Sequence, residues 1–199
     1  MRFAYADPPY FGKCGKFYGH HHPDGRCWDD ILTHKMLIDR LTDDYPDGWA
    51  LSCSSPDLRE ILPLCPPGVR IAAWVKPFCI FKKGVRPAYA WEPVIFLGGR
   101  NKNHPPPVKG GKQTTPKDFI AEPITLRKGL TGAKPQKFCL WVLDLLNYQP
   151  GDSIDDLFPG TGAMSAAALE LDCPLGPPVS PRGADADPAV KLAGALDSE

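Results

Sequence analysis

Ser153-Ile154-Asp155-Asp156-Leu157-Phe158-Pro159-Gly160-Thr161-Gly162-Ala163-Met164 is the stretch that decides the fold class of this 199-residue chain. Ser153–Asp156 reads as a short strand. Gly160-Thr161-Gly162 reads as a tight turn, and Ser165-Ala166-Ala167-Ala168-Leu169-Glu170-Leu171 as a helix of strong formers. Strand, glycine turn and helix make the geometry of a nucleotide-binding βα unit, where glycine lets the backbone turn sharply and approach a ligand. Taken alone, the stretch is equally an ordinary tight βα turn. Its spacing does not complete the longer dinucleotide fingerprint. No Gly-Lys-Ser/Thr loop occurs in the sequence, which argues against a P-loop NTPase.

At the other end of the chain, the apolar run Met1–Ala6 stops at Asp7-Pro8-Pro9-Tyr10. Two prolines lack N–H donors and fix φ, so a strand must end there in a stiff turn. In open α/β sheets the carboxyl end of a strand is where ligands bind. A carboxylate, two proline carbonyls and an aromatic face there suit a planar ring bearing an exocyclic amine. The carboxylate and a carbonyl accept from the NH2 group, and the tyrosine stacks on the ring. A plain Pro-Pro turn is the alternative.

Taken together these segments are more specific. Asp-Pro-Pro-Tyr comes near the start and Lys134-Pro135-x-x-Phe138 opens a helix. Pro150-Gly151-Asp152 follows, and then Asp156-x-Phe158-x-Gly160-x-Gly162. This order resembles the amino-directed DNA methyltransferases, in the class whose catalytic motif precedes the cofactor motif. The resemblance spans roughly residues 1–171, with a divergent middle. It implies an α/β, Rossmann-like S-adenosylmethionine-dependent methyltransferase fold, a seven-stranded sheet permuted so that the cofactor strand comes late, here with an incomplete C-terminal part. It implies S-adenosylmethionine as cofactor and the exocyclic amine of adenine in DNA as acceptor. A cytosine or RNA amino-methyltransferase and a degenerate nucleic-acid-binding relative are the alternatives. Asp7, Pro8, Pro9 and Tyr10 are then the catalytic residues. Asp156, Phe158, Gly160 and Gly162 hold the cofactor, with Lys134, Pro135 and Phe138 at its methionine end. Glu92, in Trp91-Glu92-Pro93, falls where the family keeps an acid near the pocket. No metal is implied, and no Pro-Cys nucleophile of the cytosine-carbon enzymes is present.

The formal net charge is zero, but the charge is unevenly distributed. Residues 76–137 hold thirteen Lys/Arg against Glu92, Asp118 and Glu122, whereas 138–199 hold two against ten acids. A stretch of such excess is a candidate phosphate-tracking surface; a solvated lysine-rich loop is the alternative. The resemblance puts substrate-facing loops here, so Lys76, Lys102, Lys109 and Lys112 join Glu92 as expected substrate-binding residues. Gly98–Thr115, with Pro105-Pro106-Pro107, is long for a mere connection.

Further elements follow from pattern. Asp29–Asp43 reads as a helix presenting Ile31, Leu32, Met36, Leu37 and Leu41. Gly48–Cys53, Val69–Val75 and Ala88–Leu97 read as strands, with Trp91 expected in the core, and Ser55-Pro56 starts a short helix. One domain over 1–172 is expected from 43% apolar content, with 173–199 a mostly disordered tail because Pro174–Pro178 and Gly183 suit no ordinary strand. A strand ending in a ribose-binding acid is therefore missing, and Asp172 is the acid available to substitute. Seven scattered cysteines without a Cys-x-x-Cys pair fit reduced thiols and a cytoplasmic setting. No apolar run approaches a membrane span. Cys14, His20, His21, His22 and Cys27 lack the tight paired spacing of structural zinc sites, and the glycines among them fit a loop closing over substrate.

Overall fold

The computed structural model describes residues 1–11, 27–81, 83–101, 115–125 and 132–172. The Cys14–His22 cluster, Lys102, Lys109, Lys112 and the 173–199 tail lie outside them.

β1 (Arg2–Ala6) lies between β2 (Gly48–Ser52) and β6 (Ser153–Asp156), parallel to both. β4 (Trp91–Gly98) pairs antiparallel with β2 and with β3 (Arg70–Val75), and β5 (Phe119–Ala121) lies parallel to β3. The described sheet thus has six strands in the order β5-β3-β4-β2-β1-β6, against the seven that the resemblance implies. Only β4 runs against the rest of it. Consequently the start of β4 sits at the same sheet edge as the ends of β1, β2, β3 and β6, and that edge is where the site forms.

Side chains alternate across a strand, and both faces here are covered. One face sets Phe3, Tyr5, Trp74, Val94 and Phe96 against α3 (Gln136–Leu145) and α4 (Ala163–Asp172), which contribute Phe138, Val142, Leu143 and Met164. The other sets Ala4, Ala6, Trp49, Leu51 and Ile95 against Leu37, Ile38 and Leu41 of α1 (Ile31–Asp44) and Ile61 of α2 (Leu58–Ile61). Burial on two sides explains why β2 is buried throughout.

Two expectations need correction, and one strand was not anticipated. The inner face of α1 is His34, Leu37, Ile38 and Leu41, a regular i, i+3, i+4, i+7 stripe, whereas Leu32 and Met36 are exposed. A histidine occupying one position of the stripe hid its phase. Trp91 is 39% exposed rather than core, because it begins β4 beyond the reach of the covering helices. β5 went unforeseen, since three residues give no periodicity.

The crossing of β2 and β4 depends on paired glycines. A Cβ on Gly98, at φ +74°, would lie 2.8 Å from both the Asp47 carbonyl oxygen and Gly48 Cα. Both obstacles are backbone and cannot swing aside. Gly98→Ala should therefore cost about 2–3 kcal/mol from strain and overpacking, read as a lower urea midpoint. A loss below roughly 0.5 kcal/mol would show that the strand end relaxes freely.

Candidate active site

The turn after β1 brings Asp7 to the sheet edge with Pro8 buried behind it. Lys134 reaches the same point from the chain preceding α3. Pro135 is the N-cap of that helix, buried and extended at φ −63° and ψ 147°. A residue before proline is held out of the helical region, so Lys134 stays outside the helix and projects across the edge. Its ammonium lies 2.9 Å from Asp7 Oδ1 and 3.4 Å from Glu92 Oε2. It also donates to the Tyr10 hydroxyl at 3.2 Å.

Glu92 is the second residue of β4 and faces the α3 side. The Tyr10 hydroxyl donates to Glu92 Oε2 at 3.0 Å, with Asp7 Oδ1 at 3.4 Å. Lys76, just past β3, forms an ion pair with Glu92 and lies 4.5 Å over the Trp74 ring. The Lys134 ammonium also lies within cation–π distance of Tyr10, Trp74 and Phe138, at 5.7, 5.6 and 5.9 Å. Asp7, Tyr10, Lys76, Glu92 and Lys134, all expected site residues but from four separated stretches, thus form one cluster of two carboxylates, two ammonium groups and a phenol.

Burial and charge act differently on each member. Burial opposes the charge on Lys134, but Asp7 and Glu92 outweigh it and raise the lysine above its ordinary value. Burial would raise Glu92 too, yet Lys134 and Lys76 together hold it below the usual carboxylate range. Asp7 is raised, because burial exceeds the help it receives from Lys134 and the Glu92 charge adds to the penalty. Burial and both carboxylates push Tyr10 well up, so it remains a neutral phenol. Asp7 is accordingly the carboxylate of the pair more readily protonated.

The glycine turn lies beside this cluster, since β6 pairs with β1 in the register Tyr5↔Asp156. Asp156 Oδ1 accepts from Phe158 N at 3.3 Å, and Gly162 N donates to the Pro159 carbonyl at 2.6 Å. Gly160 and Gly162 have φ of +47° and +73°. A Cβ on Gly162 would meet nothing within 4 Å, and one on Gly160 only the Phe158 carbonyl at 3.8 Å. The glycines therefore serve the turn's left-handed backbone and leave its outer side open.

Other expected residues are placed differently. Phe138 is wholly buried, packed on Trp74 at 5.0 Å and Trp141 at 5.8 Å, so its ring supports the site from beneath. Asp172 is at the wrong edge to serve the turn. α4 runs back from the site, and its last residue accepts from the Tyr148 hydroxyl at 3.1 Å and Gly151 N at 3.3 Å, before β6 begins. One arrangement had no sequence signal. Phe11, His34, Trp28 and Phe158 form a ring chain, with centroids 6.1, 5.3 and 5.1 Å apart, between the Asp7 turn and the glycine turn.

Solved structures align along most of the chain. M1.HpyAVI in complex with SAM shares 16% identity at a TM-score of 0.51, over 86% of this chain and 78% of that one. M1.HpyAVI alone gives 18% and 0.46, over 85% and 76%. A candidate DNA modification methylase of Thermus thermophilus, complexed with S-adenosyl-L-methionine, gives 15% and 0.49, over 85% and 77%. No protein-family profile and no curated protein matches the sequence. The likeness to the first establishes the fold, a Rossmann-like α/β sheet.

Lys134→Met would leave Asp7 and Glu92 facing each other without their shared cation. Breaking a buried pair this way should cost about 3–5 kcal/mol at neutral pH, measured by urea unfolding. Glu92, held below its ordinary 4.5, contributes stability that is fully present above that pH and is lost as pH falls through its lower folded value. The gap between variant and wild type should therefore narrow below about pH 4.5. A gap independent of pH would deny the ion-pair account.

Proposed function

We propose that this chain transfers a methyl group from S-adenosylmethionine to the exocyclic amine of adenine in DNA. The observation that supports it most is the adjacency at one sheet edge of the Asp7–Tyr10–Lys134–Glu92 cluster and the open Gly160–Gly162 turn. The turn suits the cofactor: its glycines leave the outer side clear, and Asp156 stiffens the approach by capping Phe158. Bound there, S-adenosylmethionine would supply an electrophilic methyl group. The aligned M1.HpyAVI structure, a complex with SAM, agrees with this choice of cofactor.

The chain's own residues do the rest. The amine of a purine is a weak nucleophile, because its lone pair is drawn into the ring. Asp7 Oδ1 is held by Lys134, so Oδ2 and the Pro8 carbonyl accept from the amine and turn its lone pair outward. The Tyr10 hydroxyl is tied to Glu92 and Lys134, which fixes the ring against which the purine stacks. Positive charge growing on the nitrogen is met by the Asp7 carboxylate, a preorganised charge needing no rearrangement. A carboxyl raised above its ordinary value is also the better acceptor for the proton the amine must lose. In this reading Lys134 acts on the acceptor side, orienting Asp7, rather than at the methionine end of the cofactor. In the family that the sequence resembles, Asp in the first position of the tetrapeptide points toward adenine, whereas the cytosine enzymes more often carry Ser there. The basic stretch containing Lys102, Lys109 and Lys112 would follow phosphates, each contact adding about 0.9 to the slope of log affinity on log salt.

Asp7→Ala should reduce methyl transfer at least about 10²–10³-fold with DNA affinity little changed. The assay is transfer of labelled methyl to DNA, RNA and protein in parallel. A variant retaining more than about a tenth of the wild-type rate would remove Asp7 from the mechanism, and label entering RNA alone would replace the substrate. The wild-type rate should also fall on acidification at a pH above 3.8, the ordinary value from which Asp7 is raised.

Gly160→Val should weaken S-adenosylmethionine binding about tenfold or more, because a branched residue is strained at φ +47° and projects into the open side. Calorimetry giving wild-type affinity in a folded variant would return the turn to a purely structural role.

A further inference from the structure

Trp91 and Glu92 are consecutive in β4 and therefore point to opposite faces of the sheet. Glu92 joins Lys134 and Tyr10 on the α3 side. Trp91 shares the α1–α2 side with Ile95 and borders a cleft of about 460 Å³. Ser55 and Pro56, leading into α2, form one wall, and Arg86, Pro87 and Tyr89 form the other. The volume falls within the roughly 300–1,000 Å³ usual for sites that hold a small molecule or a single unit of a polymer.

The chain between β3 and β4 has an unusual composition. From Lys76 to Trp91 it contains Lys76, Lys82, Lys83 and Arg86 and no acid. It exposes aromatic faces to solvent: Phe81 is 83% exposed, Phe78 54% and Tyr89 48%. The cleft itself is lined by a cation and two aromatic rings and by no carboxylate. Rings interleaved with cations and free of acids match a polymer that is anionic along its backbone and has flat faces along its side, which is an unstacked nucleic-acid strand. A protein partner would find no charge here to pair with its own cations.

We infer that this cleft is a second nucleotide site, which takes an unpaired nucleotide flanking the one held at Asp7, stacking its base on Trp91 and Tyr89 and meeting its phosphate with Arg86. The inference rests on the methyltransferase reading for the identity of the neighbouring site. The two sites lie on opposite faces of the same β4 terminus, so a strand opened at its target is gripped on both sides of a single wall. Stacking of this kind tolerates any base, because every base has a π-face. The cleft thus holds the strand open without reading its sequence.

The test is fluorescence anisotropy with a labelled oligothymidylate of about eight nucleotides, within the site sizes common for single-strand binders. It contains no adenine, so the proposed acceptor base is absent, and the contribution of the cleft is read from its own variants. Trp91→Ala combined with Tyr89→Ala should weaken binding about ten- to a hundredfold, and the corresponding double change to Phe should restore it to within about threefold. Arg86→Gln should lower the salt slope by about 0.7, the value for one phosphate contact on a single strand. S-adenosylmethionine affinity, measured by calorimetry, should be unchanged in all three, which establishes that they are folded. Oligothymidylate binding by the double Ala variant at wild-type strength, failure of the Phe pair to restore it, or absence of binding by the wild-type protein would each overturn the inference. Wild-type binding that is lost in the Ala variant, in a protein that methylates nothing, would instead uphold the cleft and remove the enzymatic reading.

Discussion

The ammonium of Lys134 is the interaction on which this edge of the molecule depends. Two unit charges 4 Å apart interact by about 4 kcal/mol at an effective dielectric of 20, while removing each ion from water costs several kcal/mol. A lone pair of carboxylates at this depth would protonate rather than persist. One shared lysine changes the balance, and Lys76 on Glu92 completes it. The result is a cluster whose two carboxylates and two ammonium groups balance in charge around a neutral phenol, with Asp7 the carboxylate nearest to accepting a proton. In the proposed reaction a neutral purine enters such a site without displacing a counter-ion. The lysine need not leave Asp7 for the carboxylate to meet an amine, because a carboxylate has two oxygens.

The geometry follows from the topology. Asp7 ends β1, Glu92 begins β4, and Lys134 is stopped short of α3 by Pro135. In a wholly parallel sheet a strand's start would lie at the far edge from its neighbours' ends. Because β4 is antiparallel, its first residues instead reach the functional edge, and the alternation of side chains then divides them. Glu92 goes to the charged cluster and Trp91 to the cleft on the other face. One reversed strand thereby supplies both sides of the wall between the two sites.

The sequence was legible where one local rule decides a residue's fate. Pro8-Pro9 had to end β1, Gly160-Thr161-Gly162 had to turn, and the spacing of strands and helices announced an α/β sheet. The members of the charged cluster could each be singled out in the sequence, but their mutual contacts could not be read there. No pattern within a segment says that Lys134 will meet Asp7, since the residues are 127 positions apart in sequence and the meeting is set by the order of strands. Trp91 was misjudged for a related reason. Its apolar surface predicts burial, but the helices that cover the middle of β4 end before its first residue. Asp172 shows the same limit: acid at the end of a helix after a glycine turn looks well placed until the helix is seen to run back to the opposite edge.

The ring chain Phe11–His34–Trp28–Phe158 adds a mechanical link between the two halves of the edge. His34 is 4% exposed, and its Nε2 lies 3.0 Å from the Trp28 carbonyl. Burial lowers its pKa, with the Trp28 carbonyl and Asp57 opposing only in part. The ring is therefore neutral at physiological pH, and as the Nε2–H tautomer it donates to that carbonyl. This fixes Trp28 relative to α1, and Trp28 in turn bears edge-on against Phe158 in the glycine turn. Phe11 follows Tyr10 directly, so a displacement of the Asp7 turn is felt at the glycine turn through four packed rings rather than through the intervening chain. The Asp7 carboxylate and the glycine turn beside it are thus positioned by one another, which the proposed transfer between two bound groups needs, since a misplacement of about 1 Å can cost about 10²-fold in rate.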